Sequence, residues 1–111
     1  MLGRSYRIIE TDEKKEKRLE GGRAGLTDGS VHTIYLAPVL PGDEKDLVED
    51  VNRFNRTVLC HEIVHAFRIE STADCLDLDE EGNVEWFGQM LPRIVRACHE
   101  AGALTDEDIE A

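Results

Sequence analysis

Val58-Leu59-Cys60-His61-Glu62-Ile63-Val64-His65-Ala66-Phe67 reads as a helix that is apolar enough to lie largely buried, yet it carries the pattern H-E-x-x-H. Residues four apart on a helix lie one above the other, so His61 and His65 can turn two imidazole nitrogens toward one metal ion. Glu62, about 100° round the helix from His61, would stand beside such a metal rather than on it. There it can take a proton from an attacking water and pass it to a leaving amine. Burying two histidines and a glutamate is costly without partners, and a metal would be one. The plainer alternative makes His61 and His65 hydrogen-bonded core histidines and Glu62 a solvated helix charge.

Upstream of this stretch, Asp43 is a suitable helix cap, and Glu44 and Asp46 suit the positive first turn. Val48, Val51, Phe54, Val58, Leu59, Ile63, Ala66 and Phe67 keep helical spacing to about Ile69. Before Asp43, Pro38, Pro41 and Gly42 close a region of strands. Residues 5–11 have a strand's β-branched and aromatic content. Residues 23–26 and 31–37 read as a hairpin about Thr27-Asp28-Gly29-Ser30. Residues 12–20, in which only Leu19 is apolar, read as a solvated connector ended by Gly21-Gly22.

Downstream, a polar connection leads to a second helix that begins between Asp79 and Val84 and ends near Gly102, a suitable stop. Val84, Phe87, Met90, Leu91, Ile94, Val95 and Cys98 form its expected buried face, and Pro92 predicts a kink or break. In the acidic tail, 105–111, Thr105 either caps a short last turn or leaves the end frayed.

The chain has 111 residues, room for one domain over 1–111 with one modest core. No apolar run nears the ~20 residues of a membrane span, and residues 1–6 lack a signal peptide's apolar core. A cytoplasmic location is therefore expected. Thirteen basic against 24 acidic residues leave a net charge of −11. That argues against nucleic acid or an anionic membrane as partner, and solubility is the plain reading of the acidity. Cys60, Cys75 and Cys98 are odd in number and widely spaced, which excludes a disulfide framework or a C-x-x-C knuckle. Cys60 and Cys98 read as small buried hydrophobes. Cys75 either approaches the metal or has no special role.

A catalytic zinc site keeps three protein ligands and one open position. Glu80, Glu81 and Glu85 compete for the third place. If the second helix starts at Asp79, Glu81 is in phase with Val84, Gly88, Leu91 and Val95, a face expected to point toward the first helix. Gly88 would then let the helices approach closely. If Asn83 caps the helix instead, Glu85 enters the first turn and can swing to the metal. His32 and Tyr35 are candidates for the cleft wall, though a structural role is expected for both, and His99 reads as surface.

The segment Glu81-Gly82-Asn83-Val84-Glu85-Trp86-Phe87-Gly88-Gln89-Met90-Leu91-Pro92 resembles the second motif of the ImmA/IrrE-like metallopeptidases, and Asp79-Glu80-Glu81 with Trp86-Phe87-Gly88 is similar to small phage-encoded relatives of that family. The family pattern is roughly E-x-x-A-[N/D]-x-F-A followed by Leu and Pro. Val84, Phe87, Gly88, Leu91 and Pro92 match in type or position, and the resemblance covers roughly residues 31–95. It implies that Glu81 is the third metal ligand. Glu85 departs from the family by occupying the Asn/Asp position. It falls 20 residues after His65, a spacing similar to that of thermolysin-like gluzincins, and is the alternative ligand.

The expected architecture is α+β, a minimal zincin with a small three-stranded sheet packed on two long helices. Residues 31–37 would run along the cleft and pair with an extended peptide. The expected function is zinc-dependent hydrolysis of peptide bonds in an intracellular protein substrate, since ImmA/IrrE-like relatives cut repressor proteins. His61, His65 and Glu81 would hold Zn²⁺, and Glu62 would be the general base. The alternative is a non-catalytic zinc-bound regulatory or structural module of phage or mobile-element origin, with Cys75 the obvious fourth ligand. A metal-free interaction protein is a third option.

Overall fold

The computed structural model describes residues 6–12, 14–38, 51–71 and 77–110. The expected cap at Asp43 and the cysteine at 75 lie outside the described residues. Three short strands, β1 (Arg7–Glu10), β2 (Gly25–Asp28) and β3 (Thr33–Leu36), form one sheet in the order β1-β3-β2. β1 runs parallel and β2 antiparallel to β3. The central place falls to the strand with the most to bury: Thr33, Ile34 and Leu36 are all shielded from solvent.

The expected hairpin forms with a shifted turn. Thr27 and Asp28 stay in β2, and the loop is Gly29-Ser30-Val31-His32. The Asp28 carboxylate accepts from the Ser30 N–H at 3.0 Å and from the Ser30 hydroxyl, an Asx turn. His32 then takes the left-handed φ of +48° that closes the loop.

The charged connector is solvated as expected except at its apolar residue. A 3-10 turn over Lys17–Leu19 drops Leu19 into a fully buried position. Arg18 donates to Glu16 at 2.8 Å and to Asp28 at 2.7 Å, and lies 5.2 Å from the centre of the Tyr35 ring. That guanidinium holds the Asp28 carboxyl down to about 2.

The described residues also form three α-helices: α1 (Val51–Glu70), α2 (Glu80–Glu100) and α3 (Asp106–Glu110). Leu59, Ile63, Ala66 and Phe67 of α1 pack with Ile34 and Leu36 of β3 and with Ile94 and Cys98 of α2 as one core. Asp79 caps α2 by accepting from the Gly82 N–H at 2.7 Å, so Asn83 lies inside the helix and is not its cap. At the other end Gly102 has φ +76°, and the Ala103 N–H bonds the Cys98 carbonyl at 2.8 Å, which stops the helix as expected. Thr105 and Asp108 cap α3 reciprocally, with the Asp108 N–H 3.1 Å from the Thr105 hydroxyl and the Thr105 N–H 2.9 Å from the Asp108 carboxylate. Among the described residues no helix is long and apolar enough to cross a membrane.

The rotation of α2 differs from the expectation. Val84 is 61% exposed, Phe87 43% and Leu91 41%, whereas Asn83, Trp86, Met90, Ile94 and Cys98 face inward or are half-buried. Polar anchors set this rotation. The Trp86 indole N–H donates to the Ser71 hydroxyl at 2.8 Å, and Arg68 of α1 donates to the Asn83 side chain at 3.2 Å. The same guanidinium stacks 5.0 Å from the centre of the Trp86 ring. A Cβ added at Gly88 would meet nothing within 4 Å, so no close helix approach occurs there. The helix also continues unbroken through Pro92. Nine residues from Asn83 and so about 180° round, Pro92 faces outward, where water can satisfy the carbonyl that loses its N–H partner.

Candidate metal centre

His61 and His65 stand on one exposed ridge of α1. Their Nε2 atoms are 3.1 Å apart, and the rings meet edge to face with centroids 4.7 Å apart. Such a pair either shares one N–H or turns both lone pairs to a common cation. Two nitrogens bound to a tetrahedral zinc lie about 3.3 Å apart, given a Zn–N distance near 2.0–2.1 Å. The pair therefore fits two corners of a zinc site with almost no movement.

The ridge overlooks a cleft of ≈ 560 Å³ between α1 and residues 23–27. Its wall is β2, whereas the sequence predicts residues 31–37. β3 has a strand on each side and cannot accept another, while β2 is at the edge of the sheet among the described residues. His32 and Tyr35 are accordingly engaged elsewhere. His32 lies 3.6 Å from the Glu70 carboxylate, to which Tyr6 also donates at 2.7 Å, and Tyr35 lies under Arg18. His99 is on the surface with Asp106 at 2.9 Å.

Glu62 is 6% exposed, which overturns its reading as a solvated charge. Its Oε1 accepts from the Thr27 hydroxyl at 2.8 Å, and that hydroxyl also lies 2.9 Å from the Glu62 carbonyl. Beside it, a Cβ on Gly25 would come 2.9 Å from Glu62 Cγ and 3.1 Å from Oε2. β2 can thus lie against the carboxylate only because residue 25 has no side chain. Sequence reasoning missed Thr27 and Gly25. A glycine inside a strand does signal close approach, but the sequence names no neighbour for it.

Two substitutions test this packing. Thr27→Val keeps the side chain's shape and removes the donor to a buried carboxylate, which should cost about 1.5–3 kcal/mol in urea unfolding. Gly25→Ala should lower the melting temperature and disturb Glu62, because the added methyl meets it at 2.9 Å. Equal stability of Gly25→Ala and wild type would show that β2 does not press on Glu62.

The carboxylates expected as third ligand are not brought to the histidines. Glu81 and Glu85 are exposed. Each is two residues from Asn83, hence roughly 160° from the row that faces α1. The face holding Glu81, Val84, Leu91 and Val95, expected to point inward, points out because Asn83 and Trp86 hold α2 the other way. Among the described residues no three His, Cys, Asp or Glu side chains are gathered closely enough to hold a metal. No protein-family model, curated protein or solved structure matches this chain.

Proposed function

We propose that the chain is a zinc-dependent peptidase in which His61 and His65 hold the metal and Glu62 is the general base. The observation that carries this reading is the 3.1 Å approach of the two Nε2 atoms on the ridge that adjoins a buried, positioned carboxylate. Zinc held there would polarise the scissile carbonyl and acidify water toward a pKa of ~7. Glu62 accepts the proton of the attacking water and returns it to the leaving amine. The Thr27 hydroxyl fixes Oε1, which leaves Oε2 to carry that proton. The edge strand β2 receives the substrate as an extended segment along the cleft. The resemblance of residues 81–92 to the second motif of ImmA/IrrE-like peptidases supports the same class, with an intracellular protein as substrate and a cytoplasmic location.

Glu81 is the third ligand in this proposal and Glu85 the alternative. Glu81 belongs to the first turn of α2, where a helix end can fray without breaking the Trp86–Ser71 contact. Glu85 lies deeper in the helix, one residue from Trp86. Zinc titration of Glu81→Gln and Glu85→Gln is expected to show weakened binding in the first variant only. Unchanged affinity in both would remove Glu81 and Glu85 as the source of a ligand.

The activity itself is tested by incubating zinc-loaded protein with casein-derived peptides. Cleavage that stops on chelation and returns with zinc supports the proposal. One bound zinc per chain without cleavage would replace it with a non-catalytic zinc-bound module.

A further inference from the structure

The face of α2 turned away from the core is apolar along its middle. Val84, Gly88, Leu91 and Val95 recur at intervals of four, three and four residues and form one stripe, and all four are exposed. A Cβ at Gly88 would meet nothing within 4 Å, so the stripe has an open notch at its centre. The groove beside the notch, ≈ 470 Å³, is lined by Val64 of α1 and by Val84, Trp86 and Phe87. An exposed apolar patch rimmed by charge marks an interaction surface. Here the charge is ordered. Glu80, Glu81 and Glu85 occupy the first half of the helix and Arg93 and Arg96 the second, all of them exposed. Neither Glu85 nor Arg96 forms an ion pair with another described residue. The cleft beside the histidines is lined by residues 23–27 and α1 alone, so this face is separate from it.

We propose that the exposed face of α2 binds the same face of a second copy of this chain, the two helices running antiparallel about a two-fold axis. A helix that is acidic in its first half and basic in its second is complementary to itself when reversed, which selects a second copy in this orientation. With the axis between Gln89 and Met90, Val84 lies level with the second copy's Val95, and Leu91 enters the second copy's notch at Gly88. Glu85 and Arg96, 11 residues apart and so about 20° apart round the helix, share one flank of the stripe. The two-fold axis brings that flank against its own copy, where Glu85 is offset by about 3 Å along the helix from the second copy's Arg96. The pair therefore forms twice. Pro92, about 100° round from Leu91, stays at the margin, where water reaches the carbonyl that lacks an N–H partner. One pair of helix faces buries less than the ~1,600 Å² of a standard interface, so the dissociation constant should be about 10–500 µM.

The test is sedimentation velocity on the full chain from about 1 µM to about 1 mM. It is run at ~0.15 M salt, where a screening length of ~8 Å mutes the repulsion between two acidic copies. The mass is expected to rise from 12.5 kDa toward twice that value. Leu91→Glu should stay monomeric throughout and keep the far-ultraviolet signature of the folded chain, since Leu91 lies outside the core. Glu85→Arg and Arg96→Glu should each weaken association about 10-fold, because two ion pairs become two like-charge contacts. Combining the two reversals should return the affinity to within about threefold of wild type. A dimer retained in Leu91→Glu, or a double reversal no tighter than the single ones, would overturn the proposal. A wild-type chain that is monomeric at every concentration would also overturn it and leave the face to a different protein.

Discussion

Glu62→Gln is expected to lower hydrolysis of casein-derived peptides by about 10²–10⁴-fold while leaving the zinc content unchanged. Glutamine has the shape of glutamate, and its Oε1 can still accept the Thr27 hydroxyl that now lies 2.8 Å from the carboxylate. The close packing on Gly25 is therefore kept. What is lost is a base at the one position among the described residues next to the histidine ridge where a carboxylate is both buried and fixed. Because the substitution leaves His61 and His65 untouched, metal content and activity separate in this variant. Activity within a few-fold of wild type would show that some other group moves the proton.

Phe67→Ala should cost about 3–5 kcal/mol in urea unfolding, a large part of the ~5–15 kcal/mol that holds a domain together. Phe67 is 1% exposed at the centre of the core shared by α1, β3 and α2. Its removal leaves a void that Ile63, Ala66 and Ile94, themselves closely packed, can only partly fill. Phe87→Ala is the informative contrast, since hydrophobic spacing alone puts both rings on buried faces. With Phe87 43% exposed on the outward side of α2, its truncation should cost no more than about 1 kcal/mol. Equal costs at the two positions would mean that α2 is rotated toward the orientation its apolar residues suggest.

Much of the fold is legible from residue pattern. The mixed α+β class, the three strands, the end of α1 and the stop of α2 follow from periodicity and from Gly102, whereas the cap of α2 stays open between Asp79 and Asn83 until the structure places it at Asp79. The order of strands is legible only in part: β3 (Thr-Ile-Tyr-Leu) has more to bury than β2 (Gly-Leu-Thr-Asp), which suits it to the centre, but no local pattern says that β1 pairs with it in parallel. The rotation of α2 is decided by Arg68, Ser71, Asn83 and Trp86. Their hydrogen bonds are invisible to a reading based on apolar spacing, so Val84, Phe87 and Leu91 are misassigned. The same applies to the candidate site. The i, i+4 spacing of His61 and His65 is enough to bring their nitrogens together, since one helix supplies both. Glu62's environment comes from Thr27 and Gly25, contacts between elements far apart in sequence. The third-ligand expectation fails to place Glu81 beside the pair for the same reason that it misjudges the α2 face.

Metal content, measured by mass spectrometry on untagged protein purified without added chelator, tests the central claim most directly. The account predicts about one zinc per chain, lost in His61→Ala and in His65→Ala while both variants keep the far-ultraviolet signature of the folded domain. No metal in the wild-type protein, even after incubation with zinc, would contradict it: the histidine pair would then be a hydrogen-bonded couple on the surface of α1, and Glu62 a buried structural partner of Thr27.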